Sequence, residues 1–240
     1  MTLDPSPDAG AHAPPETTDM QLRFRVPTGF IPIDLDPDVE GMKAVFDDGK
    51  EYLTPEQADD WATGVQAMLF SIERMRMNNT VFYAIGAHLD DQGGVATAAL
   101  SVTVEQSPAP GLPPEDVAAL VLRLMEGTFG PESGGLVALG AGPAAAATSV
   151  LTYPGIEGGM APIDEDGNSS VAQARIVIPF PDGNFIATLD MATAHVEHAE
   201  SYGDVLYHFA NELAFVLPDE APVPEPEPGG VVAAIKNVLG

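Results

Sequence analysis

The chain has 240 residues, with 36 acidic residues against 9 basic ones and a formal net charge of −27. A surface this negative repels phosphate backbones and anionic lipid headgroups, which argues against nucleic-acid and membrane-surface partners. The sequence contains no cysteine, which excludes disulfides, thiolate metal sites and a cysteine nucleophile.

Composition divides the chain into four segments. Residues 1–19 are acidic and rich in proline, which predicts a disordered extension. Residues 20–217 carry the periodic patterns of a single domain, residues 218–230 form an acidic, proline-rich linker, and residues 231–240 form an apolar peptide. The first segment lacks the basic and apolar regions of a secretory signal, and no apolar run reaches the about 18 residues that a membrane span requires. We therefore expect a cytoplasmic protein that does not insert into membranes.

In the first half of the domain, the sequence pattern predicts strands on either side of one long helix. Leu22, Phe24 and Val26 alternate with polar residues as in a half-buried strand, which a turn at residues 27–29 connects to an extended segment at 30–33. A helix is predicted from Thr54 to about Met77, with a capping box at its start and Asn78-Asn79 at its end.

A hairpin and a second helix follow. The hairpin has strands at 80–89 and 95–106, and the helix begins near Glu115, with Gly127 close to its end. The expected apolar face of this helix consists of Val117, Leu120, Val121 and Leu124.

The second half is rich in strand signals before a last helix. Predicted strands cover residues 136–139, 147–153, 171–180 and 185–191, with an Asp182-Gly183 turn between the last two. The last helix covers about 199–215. Short connections require antiparallel strands, so the order of elements predicts an α+β fold, an antiparallel sheet with three main helices packed on it as an α/β/α layered sandwich.

The opening segment Phe24-Arg25-Val26-Pro27-Thr28-Gly29-Phe30 resembles the P-x-G-F strand of the Mog1/PsbP-like fold. The closing hairpin at 176–191 and the helix that begins Tyr202-Gly203-Asp204-Val205 are similar to the end of its LpqN-like actinobacterial branch. The resemblance implies an antiparallel sheet between helices and a non-enzymatic adaptor or assembly role. It transfers no catalytic residue, and the chain lacks the lipoprotein signal of the LpqN-like members.

The densest group of potential metal ligands is His195-Val196-Glu197-His198, at a strand-to-helix junction. The spacing is not the H-E-x-x-H of zinc proteases, and acidic residues ahead of a helix are ordinary capping chemistry. His195 and His198 remain weak metal candidates. Asp164-Glu165-Asp166-Gly167-Asn168 looks superficially like a calcium loop, but an EF-hand frame lacks both essential carboxylates, so we interpret it as an acidic loop before a strand.

The apolar peptide offers the most suggestive binding pattern. Pro218–Pro228 has the composition of a semi-rigid polyproline II spacer. The apolar residues that follow could form one face of a short helix that docks in a groove, or they could pack on their own domain. The candidate contact residues are Val231, Val232, Ile235, Val238 and Leu239.

The sequence therefore predicts a non-enzymatic, protein-binding adaptor or accessory/assembly factor that needs no cofactor and has another protein as its partner. The alternative is a metal-dependent or triad-type enzyme that uses His195 and His198. A third hypothesis is a small-ligand binder with a pocket between the sheet and the helices.

Overall fold

The structure, a computed structural model, describes residues 20–36, 71–89, 95–155 and 163–216. Its strands are β1 (Gln21–Arg23), β2 (Phe30–Pro32), β3 (Thr80–Leu89), β4 (Val95–Gln106), β5 (Gly134–Leu139), β6 (Gly142–Pro154), β7 (Asn168–Pro179), β8 (Phe185–Thr193) and β9 (Ala214–Val216). Its helices are α1 (71–77), α2 (Pro114–Phe129) and α3 (Ala199–Glu212), with a 3-10 turn at Val196–His198 ahead of α3.

Within the described ranges, seven strands form one sheet in the order β2-β3-β4-β8-β7-β6-β5, and every neighbouring pair is antiparallel. β1 and β9 form a separate antiparallel pair. Hairpins connect β3 to β4 and β5 through β8 in succession, whereas α2 carries the chain from β4 in the middle of the sheet to β5 at its edge. The α+β fold class predicted from the sequence is confirmed.

The two helices α2 and α3 lie on opposite faces of the sheet. α3 packs through Tyr202, Leu206 and Phe209 on the larger core, together with inward residues of β4, β7 and β8. α2 packs on the other face in a smaller core with β6, β7 and β8. The members of that core are Val117, Val121, Met125, Phe129, Ala145, Ala147, Val177 and Ile186.

The β7–β8 hairpin lies at the centre of this arrangement. The Gly183 N–H donates to the Phe180 carbonyl and the Phe180 N–H donates to the Phe185 carbonyl, both at 2.9 Å. Gly183 adopts a φ of 69°, and a side chain there would collide with the Leu112 carbonyl. The predicted Asp-Gly turn is confirmed, and the loop before α2 packs directly against it.

Several other predicted elements are confirmed. β3 and β4 have the predicted bounds and pair as a hairpin, although its connection at 90–94 lies outside the described residues. The turn at 27–29 and the extended segment after it are present. The long helix is described only from residue 71, and it ends at Asn78-Asn79, where Asn79 adopts a φ of 56°.

The apolar face predicted for α2 was partly wrong. Val117 and Val121 are buried as expected, but Leu124 is 58 % exposed and the buried face continues instead through Met125 and Phe129. The helix therefore runs past Gly127 to Phe129. The prediction continued the stripe from Val117 and Val121 to Leu124, at i+7 from Val117, whereas the helix packs on the sheet through Met125, at i+8.

The strand at residues 142–146, predicted as a turn, was missed. Only Gly140-Ala141 connects β5 to β6, and Pro143 is a strand residue opposite Ala138. The β6–β7 ladder begins at Ala145, so Pro143 needs no N–H for it. The small alanines at 144, 145 and 147 are buried because helices cover both faces of this part of β6.

The predicted end of the last helix was also wrong. α3 ends at Glu212, and Ala214–Val216 forms β9, which pairs with β1. Leu213 remains buried at this junction. Three residues are too few to show strand periodicity in a sequence, and the partner strand is nearly the whole domain away. The predictions for residues 1–19, 37–70 and 217–240 lie outside the described residues.

Among the described residues, no helix combines the length and apolar character needed to cross a membrane.

The contact between Gly183 and Leu112 can be tested by substitution. Gly183→Ala is expected to lower the free energy of unfolding by about 3 kcal/mol, of which about 1 comes from the left-handed backbone and about 2 from displacement of the Leu112 carbonyl. Urea unfolding measures this loss.

Gly111→Ala is the matched control. Gly111 also has a positive φ, of 79°, but a side chain there meets nothing within 4 Å, so we expect a loss of only about 1 kcal/mol. Equal losses for the two variants would contradict the role assigned to the Leu112 carbonyl.

Candidate functional site

The junction between β8 and α3 positions the predicted histidine cluster. β8 ends at Thr193, a buried residue whose hydroxyl donates to the Thr97 carbonyl at 2.7 Å and accepts from the His195 N–H at 3.0 Å. The 3-10 turn at Val196–His198 then leads into α3. Thr193 thus fixes the backbone of His195 at the ends of the central strands β4 and β8.

Three side chains of this junction converge. The Oε1 atom of Glu197 lies 3.3 Å from Nδ1 of His195 and 3.9 Å from Nε2 of His198. The two imidazole rings are 6.3 Å apart between centroids. His195 and His198 thus lie close together, with the Glu197 carboxylate between them.

The pKa of the Glu197 carboxyl lies below its usual value, chiefly because of a hydrogen bond with its own backbone N–H. Desolvation, the second-largest effect, raises this pKa, whereas the hydrogen bond with His195 and the charges of His195 and His198 lower it further. Glu197 is therefore an ionised acceptor that forms a hydrogen bond with the His195 imidazole, whereas His198, at 3.9 Å, lies within ion-pair distance only.

The junction offers few ligands for a metal. Zinc requires nitrogen and oxygen donors at about 2.0–2.2 Å and usually four of them. Among the described residues, no group of three or more histidine, aspartate or glutamate side chains is arranged to hold a metal ion.

A small cavity of about 150 Å³ lies between β6, β7, β8 and the start of α3. Its lining is mostly apolar, with the hydroxyls of Thr193 and Tyr202 among its polar groups. Burial raises the pKa of the Tyr202 phenol. The cavity is smaller than the about 300–1,000 Å³ typical of pockets for drug-sized ligands. Its small volume is typical of a packing gap between a helix and a sheet, and it argues against the small-ligand hypothesis.

A polar row crosses the face of the sheet on which α2 lies. Strand register places Tyr83 opposite Ser101, Ser101 opposite Asp190 and Asp190 opposite Arg175. Arg175 donates two hydrogen bonds to the Asp190 carboxylate, from Nε to Oδ1 at 2.6 Å and from Nη2 to Oδ2 at 2.9 Å. The guanidinium carbon also lies 5.4 Å from the centre of the Phe129 ring of α2.

The Arg175–Asp190 pair was missed in the sequence, although a signal for it existed. In a hairpin centred on Asp182-Gly183, residues whose numbers lie symmetrically about the turn face each other, and Arg175 and Asp190 are such a pair. The Arg175 side chain is about a third exposed and the Asp190 side chain about a fifth. The pair therefore connects the sheet to α2 and leaves no unpaired charge for a substrate.

A second, more open depression lies beside β2 and α1. Its lining includes the segment 33–36, the segment 80–82 and Arg76. Arg76 pairs with Asp36 at 3.2 Å, and both side chains are largely exposed. Exposed pairs of this kind contribute little. The other ionisable residue of the described lining is Asp34, whose carboxylate accepts a hydrogen bond from the Asp36 N–H at 2.8 Å.

The acidic loop at 164–168 behaves as a structural turn. The Asp164 carboxylate accepts from the backbone N–H groups of Asp166 and Asn168, at 2.9 and 2.8 Å. The loop leads directly into β7, as predicted. The apolar candidates Val231, Val232, Ile235, Val238 and Leu239 lie outside the described residues.

No protein-family model matches the chain, and no curated protein matches it either. The resemblance to the Mog1/PsbP-like fold stays a prediction.

The effect of His195 on Glu197 can be measured directly. His195→Asn is expected to raise the pKa of the Glu197 carboxyl towards its ordinary value, but only part of the way, because the backbone hydrogen bond remains. Carbon-13 NMR titration of the Glu197 side chain reports this change.

The matched control is His208→Asn, an exposed histidine of α3, which should leave the Glu197 pKa unchanged. Because the folded-state pKa is lowered, the ionised carboxylate favours the folded state above the ordinary pKa. This contribution fades as the pH falls through the folded-state pKa. An unchanged Glu197 pKa in His195→Asn would contradict the contact.

Proposed function

We propose that this chain is a non-enzymatic, protein-binding adaptor or accessory/assembly factor of the cytoplasm, and that the apolar segment Val231–Leu239 contacts its partner. The observation that carries the proposal is the order of segments in the sequence: a folded domain, an acidic proline-rich spacer and then an apolar peptide. An apolar peptide held away from its domain by a stiff spacer suits insertion into a groove of another protein.

The fold supports this layout because the chain leaves the domain from an anchored strand. β9 pairs with β1 in antiparallel register, and Phe215 of β9 packs on Phe180 with ring centroids 4.5 Å apart. The spacer Pro218–Pro228 follows almost at once. A polyproline II segment of this length reaches about 34 Å at about 3.1 Å per residue, far enough to carry the apolar peptide clear of the domain.

Charge also supports the layout. The spacer carries Asp219, Glu220, Glu225 and Glu227 and belongs to a chain with a net charge of −27. Like charges hold such a spacer away from the domain that bears it. The same charges favour a partner whose apolar groove has a basic rim, because complementary charge speeds encounter and selects among partners.

The apolar face of the peptide can be tested with the full-length chain. Ile235→Asp is expected to abolish capture of the partner from native lysate, because it places a charge in the middle of the apolar stripe. Quantitative mass spectrometry of proteins retained on the immobilised chain measures the loss. Asn237→Asp adds the same charge beside the stripe and should retain the partner. Identical retained proteins for the wild type and Ile235→Asp would contradict the proposal.

The alternative is a metal-dependent or triad-type enzyme at the β8–α3 junction. The placement of the Glu197 carboxylate between His195 and His198 favours it. We expect elemental analysis of the purified full-length chain to give less than about one tenth of a metal ion per chain. A stoichiometric metal that is lost in His198→Asn and kept in His208→Asn would favour the enzyme instead.

A further inference from the structure

The outer edge of β5 carries a feature that the proposed function does not use. β5 is the last strand of the seven-stranded sheet, and among the described residues β6 is the only strand that pairs with it. An open strand edge presents unpaired N–H and C=O groups and can pair with another strand. The outer edge of β5 can therefore accept one further strand.

The direction of the free backbone groups follows from the register. The Thr148 N–H donates to the Ser133 carbonyl at 3.0 Å, so these residues form a hydrogen-bonded pair of the β5–β6 ladder. Such pairs alternate along an antiparallel ladder. The N–H and C=O groups of Gly134, Leu136 and Ala138 therefore point away from β6, towards the outer edge.

The side chains of this edge are apolar and exposed. Leu136 is 56 % exposed, and Gly134 and Ala138 beside it on the same face are exposed as well. No residue from 133 to 156 is charged, in a chain where 45 of 240 residues are Asp, Glu, Lys or Arg (36 acidic and 9 basic). β5 thus lacks the charged residues and prolines by which proteins usually protect a sheet edge.

The opposite edge of the same sheet is protected. β2 has only three residues, and it ends in Pro32, which has no N–H to offer. A short strand with a proline is a usual way to prevent edge-to-edge pairing. The two edges therefore differ, and among the described strands of this sheet the β5 edge offers the longer row of regularly spaced backbone groups that no described strand pairs with.

We propose that the β5 edge pairs with the β5 edge of a second copy of this chain, antiparallel and across a two-fold axis. Leu136 of one copy faces Leu136 of the other, and Gly134 faces Ala138. Each facing pair exchanges two N–H···O bonds, since all of these residues direct their backbone groups outward. The contact covers both Leu136 side chains and joins the two sheets into one.

The absence of charged residues on β5 favours a second copy of this chain as its partner. Two chains at −27 repel each other wherever their acidic surfaces meet, so a close contact between copies requires an uncharged surface. The strand meets this requirement, because the antiparallel register sets Glu132 of one copy opposite Gly140 of the other. The arrangement is also self-complementary about Leu136, as a two-fold interface must be.

The proposal predicts a dimer that is strengthened by salt. Sedimentation velocity of the full-length chain should show a monomer–dimer equilibrium whose dimer fraction rises as NaCl increases from about 0.05 M to about 0.5 M, because salt screens the repulsion between copies. Leu136→Lys should weaken association at least about tenfold, since it places two like charges at the two-fold axis. Circular dichroism should confirm an unchanged fold for this exposed position.

Leu124→Lys is the matched control, because Leu124 is an equally exposed leucine on α2, at 58 %. It should change the dissociation constant less than about twofold. A wild-type chain that stays monomeric at about 0.5 M NaCl and millimolar concentration would overturn the proposal. Equal weakening by the two lysine variants, or an unweakened Leu136→Lys dimer, would also overturn it.

A second measurement tests the register itself. The chain has no cysteine, so Leu136→Cys introduces a single thiol, which the two-fold axis places within about 6 Å of its counterpart between Cα atoms. A short bismaleimide should then cross-link Leu136→Cys as a dimer and leave Leu124→Cys monomeric. Cross-linking of both variants to the same extent would contradict the β5–β5 contact.

Discussion

The register of the β7–β8 hairpin is the constraint on which the rest of the domain depends. These strands lie near the middle of the sheet, and both helix cores draw residues from them: Ile176 and Leu189 face α3, whereas Val177 and Ile186 face α2. A slip of one residue would exchange the two faces of a strand and place the Arg175 guanidinium under α3. Gly183 opposes such a slip because its positive φ and its contact with the Leu112 carbonyl leave room for no other residue at that position.

The two faces of the sheet differ in how far their apolar surface extends. The face under α3 is apolar along the inner strands, and the aromatic rings of Phe24, Phe82 and Phe209 close it at one side. The face under α2 is apolar only beneath the helix and becomes polar towards β4, where Ser101 and Thr103 are half-buried. The Arg175–Asp190 pair lies at this boundary, and its cation contacts the last ring of α2. The bidentate Arg175–Asp190 pair therefore marks the boundary of the apolar core at the end of α2.

Sequence reasoning succeeded where the pattern is local and failed where the partner is distant. The bounds of β3 and β4 and the Asp182-Gly183 turn follow from alternation and turn chemistry within a few residues. The α2 face was misassigned because a helix with apolar residues at 117, 118, 120, 121, 122, 124 and 125 has several possible stripes, and only the sheet decides among them. Pro143 and the alanines after it suggested a turn, because nothing in the sequence shows that helices cover both sides of β6. The close approach of His195 and His198 depends on the 3-10 turn at Val196–His198, because a 3-10 turn places side chains three residues apart above one another.

Net charge and edge structure are connected in this chain. An uncharged, unprotected edge normally leads to open-ended aggregation, because each added copy presents a further edge. In the proposed β5–β5 pair, the remaining edge of the seven-stranded sheet is the short β2 with Pro32, so among the described strands of that sheet pairing uses the longer edge and closes at two copies. The net charge of −27 opposes every other close approach between copies. A strongly acidic surface can therefore take over the role that charged residues on the strand itself have in other proteins, and it leaves β5 free to pair without allowing the sheet to grow.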